Sequence, residues 1–197
     1  MDDDVVGVAR QPQRYGGTVI GALLAAGAGT RYGMPKILAE QGLWLGAAVR
    51  ALDSGGCGQV LVAMGAAVVT LPRGATAVLV DDWAHGLSAS VRAVIETVRR
   101  REDVAGVVLH VIDMPDVGAQ VVSRVIAAAE RRRDGLVRAV FSDQPGHPVY
   151  LGADHFDGVL ATLDGDVGAA PYLRAHSGIL KSVECGDLAS GVDRDTP

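Results

Sequence analysis

The chain has 197 residues, a formal net charge of −5 at pH 7 and 49% hydrophobic residues. That length supports one sizeable core and is short for two domains. The negative charge argues against nonspecific binding to nucleic acid, which needs a basic face to replace phosphate counterions. Cys57 and Cys185 stand far apart, and neither has a second Cys or a His at ligand spacing, so neither a disulfide framework nor a zinc site is supported.

In chain order, residues 1–17 show no sustained period and read as a flexible leader, with one domain over 18–197. Asp2, Asp3 and Asp4 stand where a secretory signal needs positive charge, and no apolar run approaches a membrane span. The expectation is an unexported, cytoplasmic protein with no membrane contact. Residues 18–24 are apolar and partly β-branched, as a strand buried in a parallel sheet should be. Strand-like runs follow at 60–64, 77–80, 107–112, 137–141 and 149–151. They alternate with helix-like stretches at 45–52, 87–101, 119–133, 154–163 and 169–176. This alternation predicts an α/β domain with a mostly parallel sheet, whose ligands sit at the carboxyl ends of the strands. The arginine runs at 99–101 and 131–133 close predicted helices and read as charges complementing helix dipoles.

Candidate functional residues gather where predicted strands end. After the first strand, Gly27, Gly29 and Gly33 let the backbone turn tightly and bring N–H groups close to phosphate oxygens. Arg31 adds a planar fork and Lys36 a compact point charge, suited to a β,γ-diphosphate as it becomes a leaving group. The spacing is not that of a Walker loop, which needs Lys followed by Ser or Thr. It is not a dinucleotide fingerprint either, since no acid closes a second strand about twenty positions on. Asp113, at the end of the 107–112 run and followed by Met114-Pro115-Asp116, can hold Mg²⁺ for a triphosphate or can cap the next helix; Asp116 is the better capping candidate. Ser88 and Ser90 lie between the 77–80 run and an amphipathic helix and can bond a nucleotide, with Ser88 equally placed as an N-cap. Trp83 can stack on a base or pterin or simply pack. Two prolines around Gly146-His147 read as a rigid turn, with His147 either structural or bonded to an acceptor phosphate. His110, inside a strand, reads as core.

The run Leu24-Ala25-Ala26-Gly27, then Arg31, Gly33 and Lys36, resembles the signature of the molybdopterin-guanine-dinucleotide-synthase-like (MobA-like) NTP transferases, most nearly their molybdenum cofactor cytidylyltransferase branch. Trp83, Gly86 and Ser90 match a second family element, with Leu87 for its Met. Pro145-Gly146-His147-Pro148-Val149 matches a third. Asp164-Gly165-Asp166-Val167-Gly168-Ala169 resembles a fourth, except that Ala170 replaces the family arginine. Asp193-Arg194-Asp195-Thr196-Pro197 resembles its closing element. The likeness spans residues 19–197.

What this resemblance implies is a three-layer α/β/α Rossmann-like nucleotidyltransferase fold and transfer of a nucleoside monophosphate to a phosphate acceptor, releasing pyrophosphate. Leu24, Ala25, Ala26, Gly27, Gly29, Gly33, Ser88 and Ser90 would bind nucleotide, and Arg31, Lys36 and Asp113 would serve catalysis. Asp113 and Asp195 would hold Mg²⁺, and Trp83, His147 and Asp166 would meet the acceptor. Ala25-Ala26-Gly27 favours CTP, where the guanine branch carries Ala-Gly-Gly. Molybdopterin is the implied acceptor and a molybdoenzyme the implied client. Three alternatives stay open: a transferase using GTP or a sugar or alcohol phosphate, a non-catalytic nucleotide-binding homologue, and a nicotinamide oxidoreductase.

Overall fold

The apolar run Thr18–Leu24 forms β1 in the interior of the sheet, buried on both faces. The computed structural model describes residues 16–195. The other strands are β2 (Gln59–Met64), β3 (Ala75–Leu79), β4 (Val104–Val111), β5 (Leu136–Phe141), β6 (Gln144–Gly152) and β7 (Lys181–Glu184). The helices are α1 (Leu43–Ser54), α2 (Leu87–Val98), α3 (Ala119–Ala129), α4 (Phe156–Thr162) and α5 (Ala170–Ala175). Strand order is β3-β2-β1-β4-β6-β5-β7, and only β6 runs antiparallel to its neighbours. The expected α/β fold with a mostly parallel sheet is the one observed.

Side-chain alternation along β1 divides the core. Val19 and Leu23 join the cluster under α1 and α3, while Ile20, Ala22 and Leu24 join the one under α2, α4 and α5. Three layers result. Gly21 faces α1: a Cβ there would lie 3.0 Å from Leu52 Cβ and 3.1 Å from Cys57 Sγ, so glycine lets the helix pack close. Burial pushes the Cys57 thiol up to about 12, which makes it an inert core residue.

The chain winds from β1 through β2 to β3 on one side and then crosses to β4 on the other side of β1. Adjacent strands whose connections diverge leave a crevice at their carboxyl ends. The glycine loop leaves β1 at that crevice, and Asp113 follows β4 there.

Several local expectations need correction. The 144–149 segment is part of β6, not a turn; the reversal is made by Ser142 and Asp143, both with left-handed φ (50° and 66°). The register shifts between Arg138 and Val140, so Gly146, His147 and Pro148 stand outside the β5 ladder, while Pro145 stays in it opposite Val140. The arginine runs lie past the helix ends rather than in their last turns. Arg101 pairs with Asp103, Arg132 with Asp134 and Arg133 with Asp154, which fixes loops instead of complementing dipoles. Residues 181–184 add β7, for which no strand was expected. Residues 1–15 of the expected leader, with Thr196 and Pro197, lie outside the described residues.

His110 is fully buried, as expected, and neither ring nitrogen has a hydrogen-bond partner among the described residues. Burial, with His147 nearby, depresses its pKa from 6.5 to about 3. The folded state therefore holds it neutral while the unfolded chain would protonate it near pH 6.5. Its contribution is complete above that pH and is lost as pH falls from 6.5 toward 3, at up to about 1.4 kcal/mol per pH unit. We expect His110→Leu to flatten the pH dependence of urea unfolding between pH 6.5 and 4.5. An unchanged slope would place the acid sensitivity elsewhere.

Candidate active site

The crevice is a cleft of about 850 Å³. The loop after β1 folds back on itself: Gly33 N–H donates to Gly29 O, and Gly29 has φ 61° with a would-be Cβ only 2.0 Å from Met34 O. Glycine is required at position 29. Gly27 differs, since a Cβ there would meet nothing within 4 Å. The loop does not run straight into an α-helix. Residues 36–42 form an irregular 3-10 segment in which Glu40 and Gln41 take left-handed φ of 49° and 55°, and α1 begins only at Leu43.

Lys36 is the centre of the site. Its side chain is 11% exposed, and its ammonium lies 2.8 Å from Asp195 Oδ1 and 3.0 Å from Asp113 Oδ2. Burial works against the charge, but the hydrogen bonds to Asp195 and Asp113 outweigh it and hold the ammonium above its usual range. Asp195 Oδ2 also meets Arg31 at 2.7 Å, so one carboxylate bridges both cations. The hydrogen bond from Lys36 keeps the Asp195 carboxyl below its usual range. Arg31 is 78% exposed and stands at the mouth.

The C-terminal segment reaches the cleft because two contacts pin it. Asp116 accepts from Ser190 N–H and Oγ at 2.7 and 2.6 Å, and Arg194 N–H donates to Asp113 O at 2.8 Å. Neither acid caps α3, whose N-cap is Gly118 with no side-chain bond, so the capping expectations for Asp113 and Asp116 both fall. Asp113 Oδ1 is buried without a partner among the described residues. Asp193 also borders the cleft; burial first, then Asp113 and Asp195, push its carboxyl up. No three His, Cys, Asp or Glu side chains among the described residues are grouped to hold a metal unaided.

The opposite wall comes from the 3-10 turn Trp83–His85, the start of α2 and the Gly165-Asp166 loop. Trp83 packs over Gly65, where a Cβ would lie 2.4 Å from Trp83 Cβ. Ser88 is inside α2, 5% exposed, and donates to Asp164 O. It neither caps the helix nor lines the cleft. Asp166 makes the bond a cap would make, accepting from Leu87 N–H at 2.9 Å across 79 residues. His147 Nδ1 lies 3.2 Å from Leu109 O, and a carbonyl can only accept, so Nδ1 carries the proton and Nε2 the lone pair. Burial lowers its pKa. Near pH 7 a neutral His147 offers an acceptor at Nε2, not the donor expected for a phosphate.

Leu24, Ala25, Ala26, Gly27, Gly29, Arg31, Lys36, Trp83, Ser90, Asp113, His147, Asp166 and Asp195 thus border one cleft, while Gly33 and Ser88 are not part of its lining. Ala25 and Ala26 are 3% and 2% exposed, their methyls in opposite core clusters. Sequence reasoning missed Tyr32, His85 and Asp193, which also line the cleft. Asp193 was visible only as the first acid of Asp-Arg-Asp.

Residues 21–179 match the family model for the MobA-like NTP transferase domain. The chain belongs to that family. Nicotine blue oxidoreductase of Paenarthrobacter nicotinovorans is 29% identical over 191 residues, covering 90% of this chain and 92% of that one. A crystal structure of an Rv0371c homologue from Mycobacterium sp. strain JC1 is 30% identical, with a TM-score of 0.71 over 90% of each chain. Rv0371c of Mycobacterium tuberculosis H37Rv, in a complex with manganese, is 26% identical, with a TM-score of 0.69 over 90% of this chain and 94% of that one.

Proposed function

We propose that the protein is a divalent-cation-dependent nucleotidyltransferase that moves a nucleoside monophosphate from an NTP, CTP by preference, to a phosphate acceptor of molybdopterin type. The observation that carries this reading is Lys36, buried between Asp113 and Asp195 with Arg31 at the same carboxylate. A shielded lysine and an exposed arginine at a glycine loop, at the carboxyl ends of parallel strands, are placed for a leaving pyrophosphate. Asp195 holds both cations here. An incoming triphosphate takes Lys36 and Arg31 from it and leaves that carboxylate for a metal.

Charge supports the metal. Asp113, Asp166, Asp193 and Asp195 face the cleft against Arg31 and Lys36, so a triphosphate meets a net negative wall. The unpartnered Asp113 Oδ1 fits a divalent cation, and Asp113 with Asp195 supplies the one or two carboxylates Mg²⁺ prefers beside water and phosphate oxygens. When bound, such a cation neutralises phosphate charge in the transition state. The chain's own groups do the rest: Lys36 and Arg31 take up charge on the leaving group, backbone around Ala25 to Gly27 positions the base, and His147 Nε2 can accept a proton from the acceptor. Ala170 in place of the family arginine keeps a sugar or alcohol phosphate open as acceptor.

Base choice rests on Ala26, whose backbone borders the cleft while its methyl packs into the core under α2, so that it sets the shape of the loop rather than filling the cleft. Loop-shape discrimination is typically worth ten- to two-hundredfold, so CTP should exceed GTP by roughly that factor in kcat/KM. Ala26→Gly should narrow the gap. Equal use of both nucleotides by the unaltered protein would end the cytidylyltransferase reading and leave the wider one standing.

A second reading comes from the relative named as an oxidoreductase. The end of β2 offers Met64, Gly65 and Ala66, with no acid for a nicotinamide ribose. Consumption of NADH or NADPH in the presence of nicotine blue would establish that reading; its absence would dispose of it.

A further inference from the structure

The two edges of the sheet are finished differently. β7 carries Lys181 and Glu184, and the Glu184 carboxylate accepts backbone N–H groups of Ser142 and Gly186. β3 reads Ala75-Thr76-Ala77-Val78-Leu79, with no charge and no proline, and among the described residues no strand pairs with its outer side. Thr76 and Ala77 are exposed, and Leu79 is 60% exposed. An unguarded apolar edge offers unpaired backbone groups to another strand.

The ends of β3 bear opposite charges. Arg73 precedes it and Asp81 follows it, both exposed, and neither side chain has a hydrogen bond or ion pair among the described residues. The two positions are equidistant from Ala77. In an antiparallel pairing of two copies centred on Ala77, each Arg73 stands at the end carrying the other copy's Asp81, twice by symmetry. The small Ala77 pair at the centre allows close approach. Parallel register with Val60, Val62 and Met64 puts Ala75, Ala77 and Leu79 on the α1 face. On that face, just before Arg73, an apolar groove of about 570 Å³ is lined by Ile37, Leu45, Val69, Leu71 and Pro72. In that pairing Leu79 of one copy would stand opposite Ala75 of the other, on the face that carries this groove.

We propose that two copies of this chain associate edge to edge through β3, making one continuous antiparallel junction closed by reciprocal Arg73 to Asp81 pairs and by Leu79 against the 69–72 segment. This surface is separate from the cleft, whose lining includes neither Arg73 nor Asp81. The test is sedimentation velocity at micromolar concentration. The unaltered protein should sediment as a dimer. Arg73→Asp and Asp81→Arg, each setting like charges together at both ends, should weaken the dimer on the order of ten- to hundredfold, and combining them should restore it. Leu79→Lys, which puts a charge on the edge, should give monomer. A monomeric unaltered protein, single variants as dimeric as the parent, or a double variant no better than the singles would overturn the proposal.

Discussion

Lys36→Ala should lower turnover by at least about a hundredfold, because one buried transition-state cation is worth on the order of 3 kcal/mol. The geometry ranks the two cations. Lys36 is 11% exposed and bridges two carboxylates, whereas Arg31 is 78% exposed at the mouth, so solvent screens it and Arg31→Ala should cost roughly tenfold. The loss should fall on kcat more than on KM, since the charge on the leaving oxygens grows in the transition state. Pyrophosphate release reads this directly. Unchanged turnover in both variants would remove the phosphate assignment from this loop.

Asp113→Asn keeps shape while removing the charge that would hold the cation. Activity should collapse or require far more Mg²⁺, with little change in melting temperature. The structure sharpens this expectation, because Asp113 does not cap α3 and its Oδ1 has no protein partner to lose. Lys36 would keep Asp195 as its partner, so the fold should tolerate the change. Full activity at ordinary Mg²⁺ would leave Asp113 as a partner of Lys36 and nothing more.

How much was legible beforehand follows from what each feature depends on. The glycine loop, Lys36 and Asp113 were readable because each sits at the end of a strand whose burial is written in its own composition. Asp113 could not be told from a cap by sequence, since that depends on which way the side chain turns, and Lys36, 77 residues away, decides it. Ser88 was misjudged as a cap for the same reason: a remote carboxylate, Asp166, took the bond at the start of α2. His147 borders the cleft, but whether it could donate to a phosphate was not legible, because its tautomer is fixed by the Leu109 carbonyl on another strand. The strand β7 was invisible in Lys181-Ser182-Val183-Glu184, a short polar edge whose pairing to β5 supplies what its own sequence lacks. The helix ends were overrun because the arginine runs look helical until their aspartate partners in the following loops are seen.

The most direct test of the central claim is Mg²⁺-dependent pyrophosphate release from CTP with molybdopterin supplied, compared with the same mixture lacking the acceptor. Release that needs acceptor, nucleotide and metal together, and that fails in Lys36→Ala, is the result expected. Tight nucleotide binding with no pyrophosphate released from any NTP, in the presence of acceptor and metal, would contradict the account and make the protein a nucleotide-binding member of its family without transferase activity.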